Sequence, residues 1–217
     1  MKLEDIPKIL EARYGRPKRK PKPLLDCLVR TILSQNTNDK LRDEAYSQLL
    51  KRFGSWKEAR EATVSEIARA IRVAGLHEQK ARAIKALIEL ASAYGYDLSF
   101  VSEMDPDQAY AFLRKIRGIG DKTAKVCLLF SFGMPFFPVD THINRVAKRI
   151  GLAHKNWTRE RVSERLERLF EPRDYYSLHL NLIELGRDLC KPREPRCGEC
   201  PIRAVCSFGK RSSGSPV

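Results

Sequence analysis

The stretch LRKIRGIGDKTAKV, residues 113–126, decides the architecture. Leu113 and Ile116 share one face of a helix that runs into Arg117-Gly118-Ile119-Gly120. A second helix opens at Asp121, with Ala124, Cys127 and Leu128 inward at helical spacing. Glycines at 118 and 120 let the backbone take positive φ and approach a partner with no Cβ in the way. The free N–H groups that start the second helix then suit a phosphate. Such a turn grips a nucleic-acid backbone and reads no base. On the two glycines alone, an ordinary interhelical loop is the favoured reading. Lys122 changes the balance, because a basic residue in the first turn opposes the usual charge preference of helix starts. Its amine is a candidate nucleophile, with a solvated lysine or a simple phosphate contact as the plainer reading.

Working outward, the same 3.6-residue spacing recurs along almost the whole chain. Ile6, Ile9 and Leu10 open it; Leu178, Leu182, Leu185 and Leu189 mark the last long helix. Glycines 15, 54, 75, 95 and 151 fall where helices should stop. RPKRKPKP (16–23) reads as an extended basic connector. Two short strand-like stretches, 96–101 and 136–139, are flanked by breakers and pair with nothing evident. The fold class is all-α.

The 217 residues carry 41 Lys and Arg against 27 Asp and Glu, a formal charge of +14. That surplus points to a polyanion, since phosphate neutralisation releases counterions. No signal-like N-terminus and no long apolar run are present, so an intracellular protein is expected, where structural disulfides are uncommon. Cys27 and Cys127 sit singly in apolar runs and read as packed small hydrophobes. Cys190, Cys197, Cys200 and Cys206 form C-x6-C-x2-C-x5-C. Four thiolates so close in sequence suit zinc or a [4Fe–4S] cluster, and the single C-x2-C pair modestly favours iron–sulfur. Asp140, in FPVDTHINRVAKRIG (137–151), fits a helix N-cap. Capping alone explains it, yet a capped carboxylate is also held still and ionised beside any developing positive charge.

GIGDKTA followed by VDTH at 139–142, with the cysteine pattern beyond, resembles the helix-hairpin-helix DNA glycosylase superfamily in its endonuclease III branch. The resemblance covers about 24–206 and departs from the usual motif at Arg117, where proline is common. It implies two helical lobes, one of residues 22–132 with the hairpin, the other of 1–21 plus 133–206, leaving 207–217 as a disordered tail. It implies a base-excision glycosylase with lyase activity on damaged pyrimidines in double-stranded DNA, acting as a monomer. Lys122 would attack the sugar C1′ with Asp140 assisting, and the four cysteines would hold a [4Fe–4S] cluster. DNA contacts would come from Gly118 and Gly120 and from Arg193 and Arg196 in KPREPR (191–196). Asn36, or its neighbour Gln35, in ILSQNTND (32–39) would meet the orphaned base, and Leu76 in AGLHEQKA (74–81) would wedge the stack. The weaker readings are an adenine-mismatch glycosylase, expected to continue into a further C-terminal domain, a mismatch-thymine glycosylase, expected to lack the lysine, and a non-catalytic hairpin protein.

Overall fold

The computed structural model describes residues 2–211. Twelve α-helices occur among them: α1 (Ile6–Tyr14), α2 (Leu24–Leu33), α3 (Asp39–Phe53), α4 (Trp56–Glu61), α5 (Val64–Ala70) and α6 (His77–Ser92), then α7 (Pro106–Arg114), α8 (Asp121–Phe132), α9 (Thr141–Ile150), α10 (Arg159–Leu169), α11 (Tyr175–Asp188) and α12 (Ser207–Arg211). Short 3-10 turns join several of them, and no strand forms among the described residues. None of these helices is long and apolar enough to cross a membrane. The described residues divide into two compact units, 20–132 and the pairing of 2–19 with 133–211.

In the 20–132 unit, α2 packs on α8 and α5 on α6. Leu28, Ile32, Ile67, Ile84, Leu87 and Leu128 are fully buried there, which is the apolar stripe that the spacing called for. Polar residues start the helices: Asn38 accepts from the Leu41 N–H at 2.9 Å, and Thr63 with Glu66 closes a capping box. The other unit gathers α9 and α1 on α11. Gly186 permits the α9–α11 approach, since a Cβ there would come within 2.9 Å of His142 Cβ. Asp188, at the end of α11, accepts from Arg13 and Tyr14 of α1 and from Arg196.

Two expectations change. Ser207–Arg211, read as the start of a disordered tail, form α12 and pack on α9. The Phe208 ring lies under the Arg149 guanidinium at 4.8 Å, which gives this short polar-looking segment its anchor. The remainder of that tail lies outside the described residues. The glycines of the hairpin also differ from each other: Gly118 has φ 90°, while Gly120 does not take positive φ.

Candidate DNA-processing site

The hairpin is built by α7 and α8 with three locks. Arg114 donates to the Ile119 carbonyl at 2.7 Å and closes the turn. The Tyr110 hydroxyl donates to Asp121 at 2.8 Å, tying the two helices. Gly118 sits against α6 so closely that a Cβ would lie 2.5 Å from Ala83 Cβ. Gly120 serves differently: the nearest atom to a Cβ there would be Arg114 Nη1 at 4.0 Å. Its bare backbone leaves the mouth of the turn open, and its carbonyl accepts from the Ala124 N–H.

Lys122 stands in the first turn of α8, exposed, with no hydrogen bond or ion pair among the described residues. Its neighbour Lys125 is buried and lies 3.8 Å from Asp121. One lysine of this helix is therefore structural, and the other is an uncommitted amine. The Cys127 thiol behind them is pushed well up by burial and accepts or donates with Thr31 at 3.4 Å. Together with buried Cys27 it packs between α2 and α8, as core residues do.

Around the hairpin, Gln35, Gln79, Arg82, Ala83, Arg117 and Gly118 line one pocket. The structure thus joins Gln35 and Gly118, and adds Gln79, Arg82 and Arg117. The first two of these additions were missed in the sequence, because on α6 they look like an ordinary solvated face. Asn36 is exposed with φ 51°, and Leu76 is 52% exposed with φ 46°. Both hold the left-handed conformation that non-glycine residues seldom adopt, and such outliers cluster where function demands them.

In the other unit, Asp140 caps α9, its carboxylate accepting from the Ile143 N–H at 2.8 Å. The segment leading to it is pinned on both sides. Phe137 donates its N–H to Glu167, Ser163 donates to the Phe137 carbonyl, and His179 meets the Pro138 carbonyl at 3.0 Å. Midway along α9, Arg145 donates to the carbonyls of Cys190 and Gly186. Arg149 reaches the carbonyls of Lys191 and Pro192 and the Cys190 sulfur at 3.4 Å.

All four expected cysteines line a single pocket, shared with Arg149, Arg203 and Phe208. The Gly209 N–H donates to Cys206 Sγ at 3.3 Å. Burial pushes the Cys200 thiol up to about 11. The lining offers four thiols and no imidazole or carboxylate, a donor set that suits an iron–sulfur group.

Of the two loop arginines, Arg193 is exposed and engages nothing among the described residues. Arg196 is occupied, donating to Asp188 at 2.6 Å and to Glu199 at 3.2 Å.

A hairpin locked on α6 and an unpaired amine at its mouth match an established lineage. Residues 29–172 fit the family described as HhH-GPD superfamily base excision DNA repair protein. The chain belongs to this superfamily. It is 40% identical over 191 residues to endonuclease III of Sulfolobus acidocaldarius, spanning 87% of this chain and 84% of that one. With endonuclease III of Thermotoga maritima it shares 30% over 217 residues, covering 99% and 97%. Among solved structures, a non-covalent endonuclease III–DNA complex superposes with a TM-score of 0.81 at 25% identity, covering 97% of this chain and 95% of that one. A trapped endonuclease III–DNA covalent intermediate, an estranged-adenine complex, gives the same TM-score and covers 96% and 95%.

Proposed function

We propose that this superfamily member is a base-excision DNA glycosylase with abasic-site lyase activity on damaged double-stranded DNA. Lys122 is the nucleophile and oxidised pyrimidines are the substrate class. The observation that carries the reading is Lys122 itself, exposed and unpaired at the start of α8 while Lys125 is consumed by the fold.

The hairpin's backbone N–H groups hold a phosphate next to the lesion, and the damaged nucleotide leaves the stack. The Lys122 amine forms a bond to C1′ as the glycosidic bond breaks and the base departs with a proton. Loss of a proton from the nitrogen and opening of the ring leave an imine. Removal of a C2′ proton then expels the 3′ phosphate oxygen, which nicks the strand. Asp140, held by its cap bond, stabilises positive charge on the sugar. Gln35 or Asn36 meets the orphaned base, Leu76 fills the gap, and Gly118, Gly120 and Arg193 contact backbone.

Cys190, Cys197, Cys200 and Cys206 would hold a [4Fe–4S] cluster. The convergence of the four cysteines on one pocket supports this, as do the donors from Arg149 and Gly209 aimed at two of its sulfurs. Bound there, the cluster would fix the 191–196 loop that carries Arg193. We place the activity in the intracellular compartment, where these thiols stay reduced until they ligate.

Borohydride added during turnover on a lesion-bearing duplex tests the reading. It should trap a covalent protein–DNA adduct that peptide mapping assigns to Lys122, because only an imine is reduced. Lys122→Gln should abolish trapping and nicking while retaining DNA binding. Trapping at undiminished yield in Lys122→Gln would move the nucleophile to another amine. Binding by the wild type with neither trapping nor nicking would leave a non-catalytic hairpin protein.

A further inference from the structure

The most deeply buried charge in the described residues is used by nothing in the mechanism above. Lys80, on the first turn of α6, is 1% exposed. Its ammonium donates to the Leu33 carbonyl at 2.9 Å and to the Ala74 carbonyl at 2.7 Å. Desolvation lowers its pKa from the ordinary lysine value. Burying a charge without a carboxylate partner is costly, and an apolar chain of the same length would fill the space without that cost. What the ammonium adds is direction.

Both acceptors end helical segments. Leu33 is the last residue of α2, and Ala74 closes the 3-10 turn Arg72–Ala74. Terminal carbonyls lack partners within their own helix and carry the negative end of its dipole, so one cation satisfies both. Within one turn of chain beyond Leu33 comes Asn36, and beyond Ala74 only Gly75 precedes Leu76. These are the two exposed, left-handed, non-glycine residues described above. Backbone in that conformation persists only where its surroundings over-determine it.

We propose that Lys80 is the positioning residue that ties the two duplex-entering loops to one another, fixing Asn36 and Leu76 as a preset pair. The proposal rests on the glycosylase reading, and it assigns Lys80 to opening the duplex and not to bond breaking.

The test compares the whole chain with Lys80→Met and Lys80→Arg on two duplexes, one carrying a damaged pyrimidine and one a pre-formed abasic site. 2-Aminopurine placed opposite the lesion reports unstacking directly, independently of cleavage. Lys80→Met should fold, lose most of the fluorescence rise and slow single-turnover excision about tenfold or more, with abasic-site nicking within about threefold of wild type. Lys80→Arg, which keeps the charge and its donors, should restore much of the excision-to-nicking ratio. If Lys80→Met does not fold, Lys80→Gln takes its place, with one amide donor group and no charge. Equal losses on both duplexes, or an unchanged ratio and full fluorescence rise, would overturn the proposal. A wild type that raises the fluorescence yet cleaves neither duplex would instead overturn the glycosylase reading, and the fluorescence comparison would still judge Lys80.

Discussion

Gly118 rests on Ala83 so tightly that a single added methyl would stand 2.5 Å from Ala83 Cβ, and the backbone there has φ 90°. The phosphate-gripping turn is thus seated on α6 by a contact that only glycine allows. Gly118→Ala should lower stability by about 1–3 kcal/mol through strain and overpacking together. Ala83→Gly in the same chain should recover only part of it, since it relieves the clash and not the φ. Urea unfolding of the wild type and the two variants measures this; full recovery in the double variant would mean that the backbone conformation carries no cost.

Leu76 offers the second test. Leu76→Ala removes the filler and should slow excision from duplex DNA more than nicking at a pre-formed abasic site, because unstacking costs a few kcal/mol. The exposed side chain contributes little to the core, so the melting temperature should scarcely move. An equal loss on both substrates would make Leu76 a general DNA contact.

Arg193 and Arg196 should separate in a salt titration. Arg193→Ala should flatten the dependence of log K on log[salt] by about 0.9, the value of one phosphate contact. Arg196→Ala should change the slope less and lower thermal stability instead, because its guanidinium holds Asp188 and Glu199. Equal slopes for wild type and Arg193→Ala would take this loop off the DNA.

Purified chain should be brown, with about four irons bound. Cys197→Ser should lose the colour and lower the melting temperature, whatever its activity. Stoichiometric zinc without iron after anaerobic purification would sink the cluster assignment.

Alkaline pH supplies a prediction about the hairpin. Burial pushes Tyr46, Tyr110 and Tyr175 up to about 12, with Asp121 adding to the effect at Tyr110. Unfolded tyrosines ionise near 10, so unfolding releases protons between about 10 and 12. Their stabilisation is intact below that window and is lost as pH rises through it, by at most about 1.4 kcal/mol per pH unit for each. Lys80 acts oppositely below its unfolded value, because its pKa is lowered. A Tyr110→Phe comparison cancels that contribution: the variant should show a shallower fall in urea stability above pH 10. An identical slope would mean that Tyr110 ionises as readily folded as unfolded.

Much of this was legible because it is local. The all-α reading followed from apolar spacing, and the hairpin, the Asp140 cap and the cysteine pattern each lie within a few turns of chain. What escaped depends on distant partners. Lys80 occupies an apolar register position beside Ala81 and Ile84, and nothing in that stretch announces the Leu33 carbonyl. Arg196 looked like Arg193 until Asp188 stood beside it. Gly118 and Gly120 are the same letter in one motif, yet α6 constrains only the first. The φ of Leu76 has no sequence signature, since leucine is not a residue type chosen for left-handed backbone, whereas asparagine at 36 is one of the few that are.

Helix α9 carries Asp140 at one end and, from its middle to its other end, the two arginines Arg145 and Arg149 that hold the start of the cysteine loop. Ten residues of α-helix form a rod about 15 Å long. For an engineer, the spacing between Cys190 and Cys197 is therefore not a free variable. A loop lengthened or shortened there pulls on Arg145 and Arg149, and any tilt of the rod reappears as a displaced carboxylate at the opposite tip. Evolution faces the same linkage: drift in the cysteine loop is filtered by the geometry of an aspartate fifty residues earlier in the chain.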